Sequence, residues 1–306
     1  MPTPTVSCAA TTARNSSRQR VRECAARGLA DARSPRGFLA RYRKHFALTH
    51  HPFSPEIAPD DLFLSSTARE LDVRLTHLLD LRGIGLITGD SGSGKTCACR
   101  RVLTRLHTGL YRVIYVALST GNVMDLYNKT ISWEMGLAVE RSRAALYRQI
   151  NSEVSRRCTD ARIRPVLVVD EAHHLRADVL EDLRLLTNYQ MDAENRLCLL
   201  LLGQTELRRR LTMTVHEALA QRIVVRYHLT ALTRDELPTY LAHRLRLAGA
   251  EVPLFDATAE EALFQATSGL PRKINVLAHH TLMAAALARA RLATAEHLQA
   301  ALPEVA

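Results

Sequence analysis

The stretch Gly89-Asp90-Ser91-Gly92-Ser93-Gly94-Lys95-Thr96 follows the apolar run Ile84–Thr88 and precedes a helical pattern. It matches the P-loop pattern G-x-x-x-x-G-K-[ST] at every fixed position. Glycines let backbone N–H groups wrap phosphates without a Cβ clash, and the N-terminus of the following helix favours an anion. We therefore predict that all eight residues bind a nucleoside triphosphate. Lys95 is expected to contact the β- and γ-phosphates, and the Thr96 hydroxyl to ligate Mg²⁺.

A second apolar run, Pro165–Asp170, ends in two consecutive acids. Acids at the carboxyl end of a parallel strand lie at the edge of the sheet where ligands bind. We predict that Asp170 holds Mg²⁺ and that Glu171 is the general base that polarises the attacking water. The adjacent His173 and His174 are left open between a role in this site and a surface role, with metal binding the least favoured reading.

Four further positions are candidates for contacts with the γ-phosphate. Gln204 follows an apolar strand and is suited to orienting the attacking water, although a polar strand end is also common. Arg222 directly precedes the last predicted strand and Arg226 lies within it, and Arg272 lies where a new helix begins. An arginine beside the γ-phosphate stabilises transition-state charge. Spacing alone leaves these arginines as surface charges.

Strands alternate with helices along the first part of the chain, which predicts a mostly parallel, five-stranded α/β sheet covered on both faces over residues 38–229. After residue 229 only helical patterns follow, so we predict a small all-helical lid at residues 230–306. The predicted strands are Ile84–Thr88, Val113–Leu118, Pro165–Asp170, Leu197–Leu202 and Ile223–Leu229.

The charge of the 306-residue chain is concentrated at its start. Of the net charge of +10, the first 45 residues contribute eight, from ten basic and two acidic side chains. Residues 1–37 are predicted to be a disordered basic tail. A nucleic-acid-binding arm, a transit peptide and sequence upstream of the true start remain open readings of that tail.

The composition favours a soluble, cytoplasmic protein. No apolar run approaches the length of a membrane span, and the N-terminus lacks a secretory h-region, which predicts no membrane contact. The six cysteines lack zinc-type spacing and are expected to be reduced.

The ordered combination of these motifs resembles the AAA+ ATPases, and more narrowly the general-secretion-pathway protein A type. That group includes the ATPase partners of bacterial transposases. The resemblance covers about residues 41–303. The matching segments are Tyr42–Phe53, Asp61–Leu64, Arg82–Thr96, Asp170–His173, Leu202–Gln204, Leu219–Ile223 and Gly269–Arg272.

The resemblance implies roles that spacing could not assign. Gln204 matches sensor 1, where the superfamily often has asparagine, and Arg272 matches sensor 2. Arg222 matches an arginine finger acting on ATP in a neighbouring subunit, with Arg226 as a second candidate. His51–Phe53 is implied to help form the adenine pocket. The resemblance therefore implies ATP and Mg²⁺ as ligands, ATP hydrolysis and a homo-oligomer.

No membrane span or cell-wall-binding domain follows the lid, so we expect a helper of transposition that binds double-stranded DNA and a transposase. A secretion or envelope-assembly ATPase and a slow nucleotide switch acting on a protein partner are the alternatives. A basic stripe for DNA is conceivable, against the reading that its members are solvated helix faces. The stripe would comprise Arg100, Arg101, Arg105, Arg141, Arg143, Arg148, Arg156 and Arg157.

Overall fold

A computed structural model describes residues 42–117, 122–138, 140–191 and 193–304. Five strands form one sheet in the order β2-β3-β4-β1-β5, and every registered pair is parallel. This confirms the predicted α/β fold with a five-stranded parallel sheet. The strands are β1 Ile84–Thr88, β2 Tyr111–Ala117, β3 Arg164–Asp170, β4 Cys198–Gly203 and β5 Ile223–His228.

Helices connect the strands and make up most of the C-terminal region. A π-helix, Leu126–Ser132, joins the short helices Val123–Asp125 and Trp133–Met135. Ala172–His174 forms a 3-10 turn. The helices are α1 Ser66–Leu81, α2 Lys95–Thr104, α3 Val123–Asp125, α4 Trp133–Met135, α5 Arg143–Thr159, α6 Ala177–Leu186, α7 Thr205–Arg210, α8 Glu217–Arg222, α9 Glu236–Leu247, α10 Ala257–Thr267, α11 Pro271–Leu287 and α12 Ala295–Ala301.

Helix α1 is an element that the sequence analysis did not predict. The Ser65 hydroxyl caps it by accepting the N–H of Ala68 at 3.1 Å, and Arg82, with φ 53°, ends it in the left-handed region. Its buried leucines include Leu71 and Leu75, one helical turn apart, so the helix presents an apolar face. That face covers one side of the sheet.

Apolar side chains cover both faces of the sheet. On one face, alternate strand residues such as Leu86 and Leu201 join a core formed with helices α5 and α6. On the other face, Ile87 and Leu200 join a core with helices α1 and α2. Strands β1 and β4 are buried at every position. Strands β1 and β4 themselves therefore offer only apolar side chains and glycines along most of their length, and ligands can be reached mainly from where the strands end.

The chain forms two compact units. The sheet belongs to the unit made of residues 54–240 and 264–275. In the other unit, described over residues 42–53, 241–263 and 276–304, the backbone carbonyl of Pro52 accepts a bond from Nε of Arg244 at 2.7 Å. The ring of His51 stacks on Tyr42. Helix α12 begins with a capping box at Thr294.

Two predicted segments lie wholly or partly outside the residues that the structure describes. The predicted basic tail at residues 1–37 lies outside the described residues, as does Leu118 at the end of the second predicted strand. Within the described ranges, no helix is both long and apolar enough to cross a bilayer. The four cysteines in those ranges are free thiols.

Candidate nucleotide-binding site

The P-loop connects β1 to α2, and its path depends on glycine. Gly92 and Gly94 have φ values of 83° and 93°, in the left-handed region that favours glycine. At Gly89, a Cβ would lie 2.5 Å from the carbonyl oxygen of Leu229. Gly94 is the N-cap of α2, so the free N–H groups of that helix begin directly behind the loop.

Lys95 is folded into this loop. Its Nζ donates to the carbonyl oxygens of Gly89 at 2.9 Å and Asp90 at 2.8 Å, and the residue is buried. Burial lowers the pKa of Lys95, and the nearby carboxylates of Glu171 and Asp170 partly oppose that shift. The ammonium is therefore held inside the loop by neutral acceptors, which a phosphate could replace.

The carboxylate of Asp170, at the end of β3, links that strand to helix α2 and to strand β2. Its Oδ2 accepts bonds from the Thr96 hydroxyl at 2.9 Å and the Tyr115 hydroxyl at 2.8 Å, and its Oδ1 accepts the N–H of Glu171 at 2.8 Å. Burial and this bond to Asp170 raise the pKa of Tyr115. Thr96 and Asp170 together offer only oxygen ligands, the type that Mg²⁺ prefers, so the residues fit that ion.

Glu171 leaves the strand in a strained conformation. Its φ is 52°, a rare value for a residue other than glycine. The side chain is half exposed, with Oε2 3.4 Å from Nδ1 of His173. Water therefore has access to this carboxylate beside the buried Asp170.

The turn after Glu171 is held in place by helix α7. The two terminal nitrogens of Arg210 donate to the carbonyl oxygens of His173 at 2.6 Å and Leu175 at 2.7 Å. A Cβ added to Gly203 would lie 3.4 Å from the backbone nitrogen of His173. The turn and the end of β4 are therefore tightly apposed.

Two predicted residues lie near the P-loop. The backbone N–H of Arg272 donates to the Gly92 carbonyl at 3.2 Å, and its guanidinium lies 3.4 Å from the Ser91 hydroxyl. Gln204 follows Gly203, which is paired with the last residue of β1. The neighbouring Thr205 hydroxyl donates to the Asp90 carboxylate at 3.0 Å.

Arg222 lies at the start of β5, at the opposite end of the parallel strands from the P-loop. It precedes Ile223, which is paired with Ile84, the first residue of β1. The P-loop follows the last residue of that strand, about 13 Å further along at about 3.3 Å per residue. The guanidinium of Arg222 donates to the Thr187 hydroxyl at 3.1 Å and to the Arg184 carbonyl at 3.4 Å. The structure does not bring Arg222 to the P-loop of its own chain.

Five of the eight arginines in the basic stripe form ion pairs with four acids of the chain. Arg101 pairs with Asp72 and is buried. Charges in such pairs contribute less to a field that attracts DNA than free charges do. The other pairs are Arg105 with Asp60, Arg143 with Asp182, and both Arg156 and Arg157 with Glu153.

Two residues of the site were not found from the sequence. Tyr115 becomes visible only through the pairing of β2 with β3, which brings its hydroxyl within reach of Asp170. Arg210 closes the run Arg208–Arg210, which resembles an ordinary charged helix face. The clue in the sequence was a tyrosine among the apolar residues of the predicted strand Val113–Leu118; for Arg210 there was no clue.

The comparisons with known proteins agree with this geometry. Residues 78–211 match the family described as AAA domain. The chain is 34% identical over 247 residues to general secretion pathway protein A of Aeromonas hydrophila. The match covers 80% of this chain but only 45% of that protein, so the chain spans less than half the length of this curated relative.

Solved structures share the fold at low identity. Cdc6p from Pyrobaculum aerophilum has a TM-score of 0.62 at 16% identity, covering 83% of this chain and 70% of that one. The Aeropyrum pernix ORC1 protein in complex with DNA has a TM-score of 0.60 at 20% identity, covering 83% and 68%. At these identities the likeness is one of fold. The fold is that of the P-loop AAA+ proteins, and the AAA-domain match and the 34% identity support an AAA+ protein of the general secretion pathway protein A type.

Proposed function

We propose that this protein binds ATP with Mg²⁺ and hydrolyses it to ADP and phosphate. The observation that carries the proposal is the convergence of Lys95 and Thr96 from the P-loop with Asp170 and Glu171 from β3. The hydrogen bond of 2.9 Å between the Thr96 hydroxyl and Asp170 joins the two motifs. A glycine-rich loop, an ammonium and adjacent carboxylates are the groups that phosphoryl transfer requires.

In this proposal the loop binds the phosphates through the backbone of Gly89–Thr96. The Lys95 ammonium exchanges its carbonyl acceptors for phosphate oxygens. Thr96 and Asp170 would hold a Mg²⁺ ion, which would supply positive charge to neutralise the phosphates. Arg272, whose guanidinium lies beside Ser91, contributes positive charge from the same compact unit.

Hydrolysis uses the half-exposed carboxylate of Glu171. It accepts a proton from a water molecule while the water oxygen attacks the γ-phosphorus, and the bond from that phosphorus to the leaving oxygen of ADP breaks. Gln204 orients the water. Arg222 acts in the site of a neighbouring copy, since in its own chain it lies at the opposite end of the strands from the P-loop. The division into a nucleotide-binding domain at 38–229 and a lid at 230–306 belongs to the same proposal.

The proposed biological role is that of a DNA-associated helper of transposition. Supporting it are the resemblance to transposase-partner ATPases and a shared fold with a protein described in complex with DNA. A secretion or envelope-assembly ATPase is the second candidate, favoured by the 34% identity to general secretion pathway protein A. A nucleotide switch acting on a protein partner is the third.

Single-site variants test the chemistry. We expect Lys95→Ala to abolish nucleotide binding, and Glu171→Gln to retain binding while turnover falls by about 100-fold or more. Glu134→Gln, which neutralises an exposed acid on helix α4, is the matched control. Unchanged turnover in Glu171→Gln would remove the base assignment, and no turnover in the unmodified chain would remove the hydrolase proposal.

Mixing two inactive variants tests whether Arg222 acts between subunits. Arg222→Ala keeps its own Glu171, and Glu171→Gln keeps its own Arg222. We expect each to be inactive alone and the mixture to recover part of the turnover, because some mixed interfaces contain both groups. Equal inactivity of the mixture and the separate variants would contradict a finger acting in trans.

Turnover with and without double-stranded DNA, at two salt concentrations, separates the biological roles. Stimulation by DNA that fades at the higher salt is expected for the transposition helper, since phosphate contacts release counterions. Turnover indifferent to DNA would favour a protein-partner ATPase and count against the role in transposition.

A further inference from the structure

Three potential metal ligands gather at the turn after β3. Glu171, His173 and His174 each offer one ligand atom, and the three atoms lie within 4.8 Å of one another. The carboxylate oxygen of Glu171 is 3.4 Å from Nδ1 of His173. In a tetrahedral zinc centre with bonds of about 2.1 Å, neighbouring ligand atoms are separated by about 3.4 Å. Two of the three ligands therefore already have the required spacing.

The buried member of this group has an unused nitrogen. The side chain of His173 is only 4% exposed, and its Nδ1 is buried without a hydrogen-bond partner within the described part of the chain. Buried polar atoms are normally satisfied, so this nitrogen calls for an explanation.

The backbone that carries these ligands is held in place, while two of the side chains can adjust. Arg210 bonds the carbonyls of His173 and Leu175. Glu171 and His174 are exposed, so their side chains can rotate to close the remaining distance and a metal ion can enter from solvent. The imidazole rings of His173 and His174 lie 4.0 Å apart between centroids.

We propose that Glu171, His173 and His174 form a binding site for a transition-metal ion of the Zn²⁺ class, with the fourth position open. Two imidazoles and a carboxylate suit such an ion, whereas the oxygen pair of Thr96 and Asp170 suits Mg²⁺. A metal bound here takes the Glu171 carboxylate, so it inhibits ATP hydrolysis. This inhibitory clause rests on the proposed function; the binding clause does not.

Cobalt provides a readout that does not depend on turnover. Co²⁺ is titrated into the full-length, nucleotide-free chain while visible absorption is recorded, and Zn²⁺ is then added as competitor. We expect the intense bands of a four-coordinate site and their loss on adding Zn²⁺. In His174→Ala the affinity is expected to fall roughly tenfold or more, by analogy with disturbed metal sites. His77→Ala, which removes an exposed histidine from helix α1, is the matched control.

Inhibition is measured separately as ATP turnover at fixed Mg²⁺ with increasing Zn²⁺. Inhibition in the unmodified chain and in His77→Ala, weakened roughly tenfold or more in His174→Ala, is expected. Octahedral Co²⁺ spectra, or equal Co²⁺ affinity in His174→Ala and the unmodified chain, would overturn the site. Co²⁺ binding at the site without inhibition would overturn the inhibitory clause. If the chain hydrolyses no ATP, the cobalt titration still decides the binding clause.

Discussion

Alanine substitutions at three P-loop glycines separate backbone strain from steric overlap. Gly94 has φ 93° and open space where a Cβ would be placed. Gly89 lacks a positive φ, but its Cβ would lie 2.5 Å from the Leu229 carbonyl oxygen. Gly92 combines both features, with φ 83° and a Cβ position 2.7 Å from Cβ of Arg272. The three substitutions therefore test backbone strain alone, steric overlap alone and the two together.

The expected losses of unfolding free energy follow from these geometries. A left-handed residue with a Cβ costs about 1–2 kcal/mol, and an overlap that the surroundings must absorb costs about 1–3 kcal/mol. Alanine recovers about 0.4–1 kcal/mol by restricting the unfolded chain. Gly94→Ala and Gly89→Ala should therefore each cost about 1 kcal/mol, and Gly92→Ala about 3 kcal/mol.

Urea unfolding of the nucleotide-free chain, followed by far-UV circular dichroism, measures these losses. A double-mutant cycle between Gly92→Ala and Arg272→Gly isolates the overlap, with an expected coupling of about 1–2 kcal/mol. Equal losses for Gly94→Ala and Gly92→Ala, or a coupling near zero, would refute the assigned contact with Arg272. An unchanged free energy of unfolding in Gly94→Ala would refute the strain argument.

Three further outcomes follow from other parts of the chain. Arg101→Met should lower the free energy of unfolding by about 3 kcal/mol, because it leaves a partly buried aspartate unpaired. Arg105→Met removes an exposed ion pair and should lower it by less than about 1 kcal/mol. Equal losses in urea unfolding would contradict this. Burial lowers the pKa of His279 from 6.5 to about 4, so the neutral form is favoured on folding; stability should fall as pH drops from about 6.5 to about 4. A pH profile that His279→Gln leaves unchanged in that window would exclude this group as the cause. Arg210→Ala should lower kcat about tenfold with little change in KM, because the turn beside the base loosens, while the exposed Arg209→Ala is the control; a matching loss in both would argue against the positioning role.

The sheet was predictable because each strand is a short apolar run bounded by turn residues. Ile84–Thr88 was predicted with both ends correct, and the parallel arrangement followed from the alternation of helices and strands. Helix α1 was missed although its buried leucines recur at helical spacing. It precedes the P-loop rather than separating two strands, so the alternating pattern gave no reason to look there.

The first contacts of the candidate site were predictable in identity but not in geometry. The P-loop and the acids after β3 are short contiguous motifs, so sequence could identify them without knowledge of the fold. Tyr115 reaches Asp170 through the register between β2 and β3, and Arg210 reaches its turn from α7, 37 residues away. Such partners depend on tertiary approach, which local patterns do not record. The roles of Gln204, Arg222 and Arg272 remain predictions.

The burial of the Lys95 ammonium has a cost for the stability of the fold. Its ammonium has already given up bulk water for two backbone carbonyls, and its lowered pKa means that folding disfavours its charge. An apolar side chain of similar length would avoid that penalty, but it would leave the two carbonyl oxygens without this donor. The buried ammonium therefore carries a desolvation cost that binding of an anionic ligand would offset, so the charge at this position serves the ligand more than the fold.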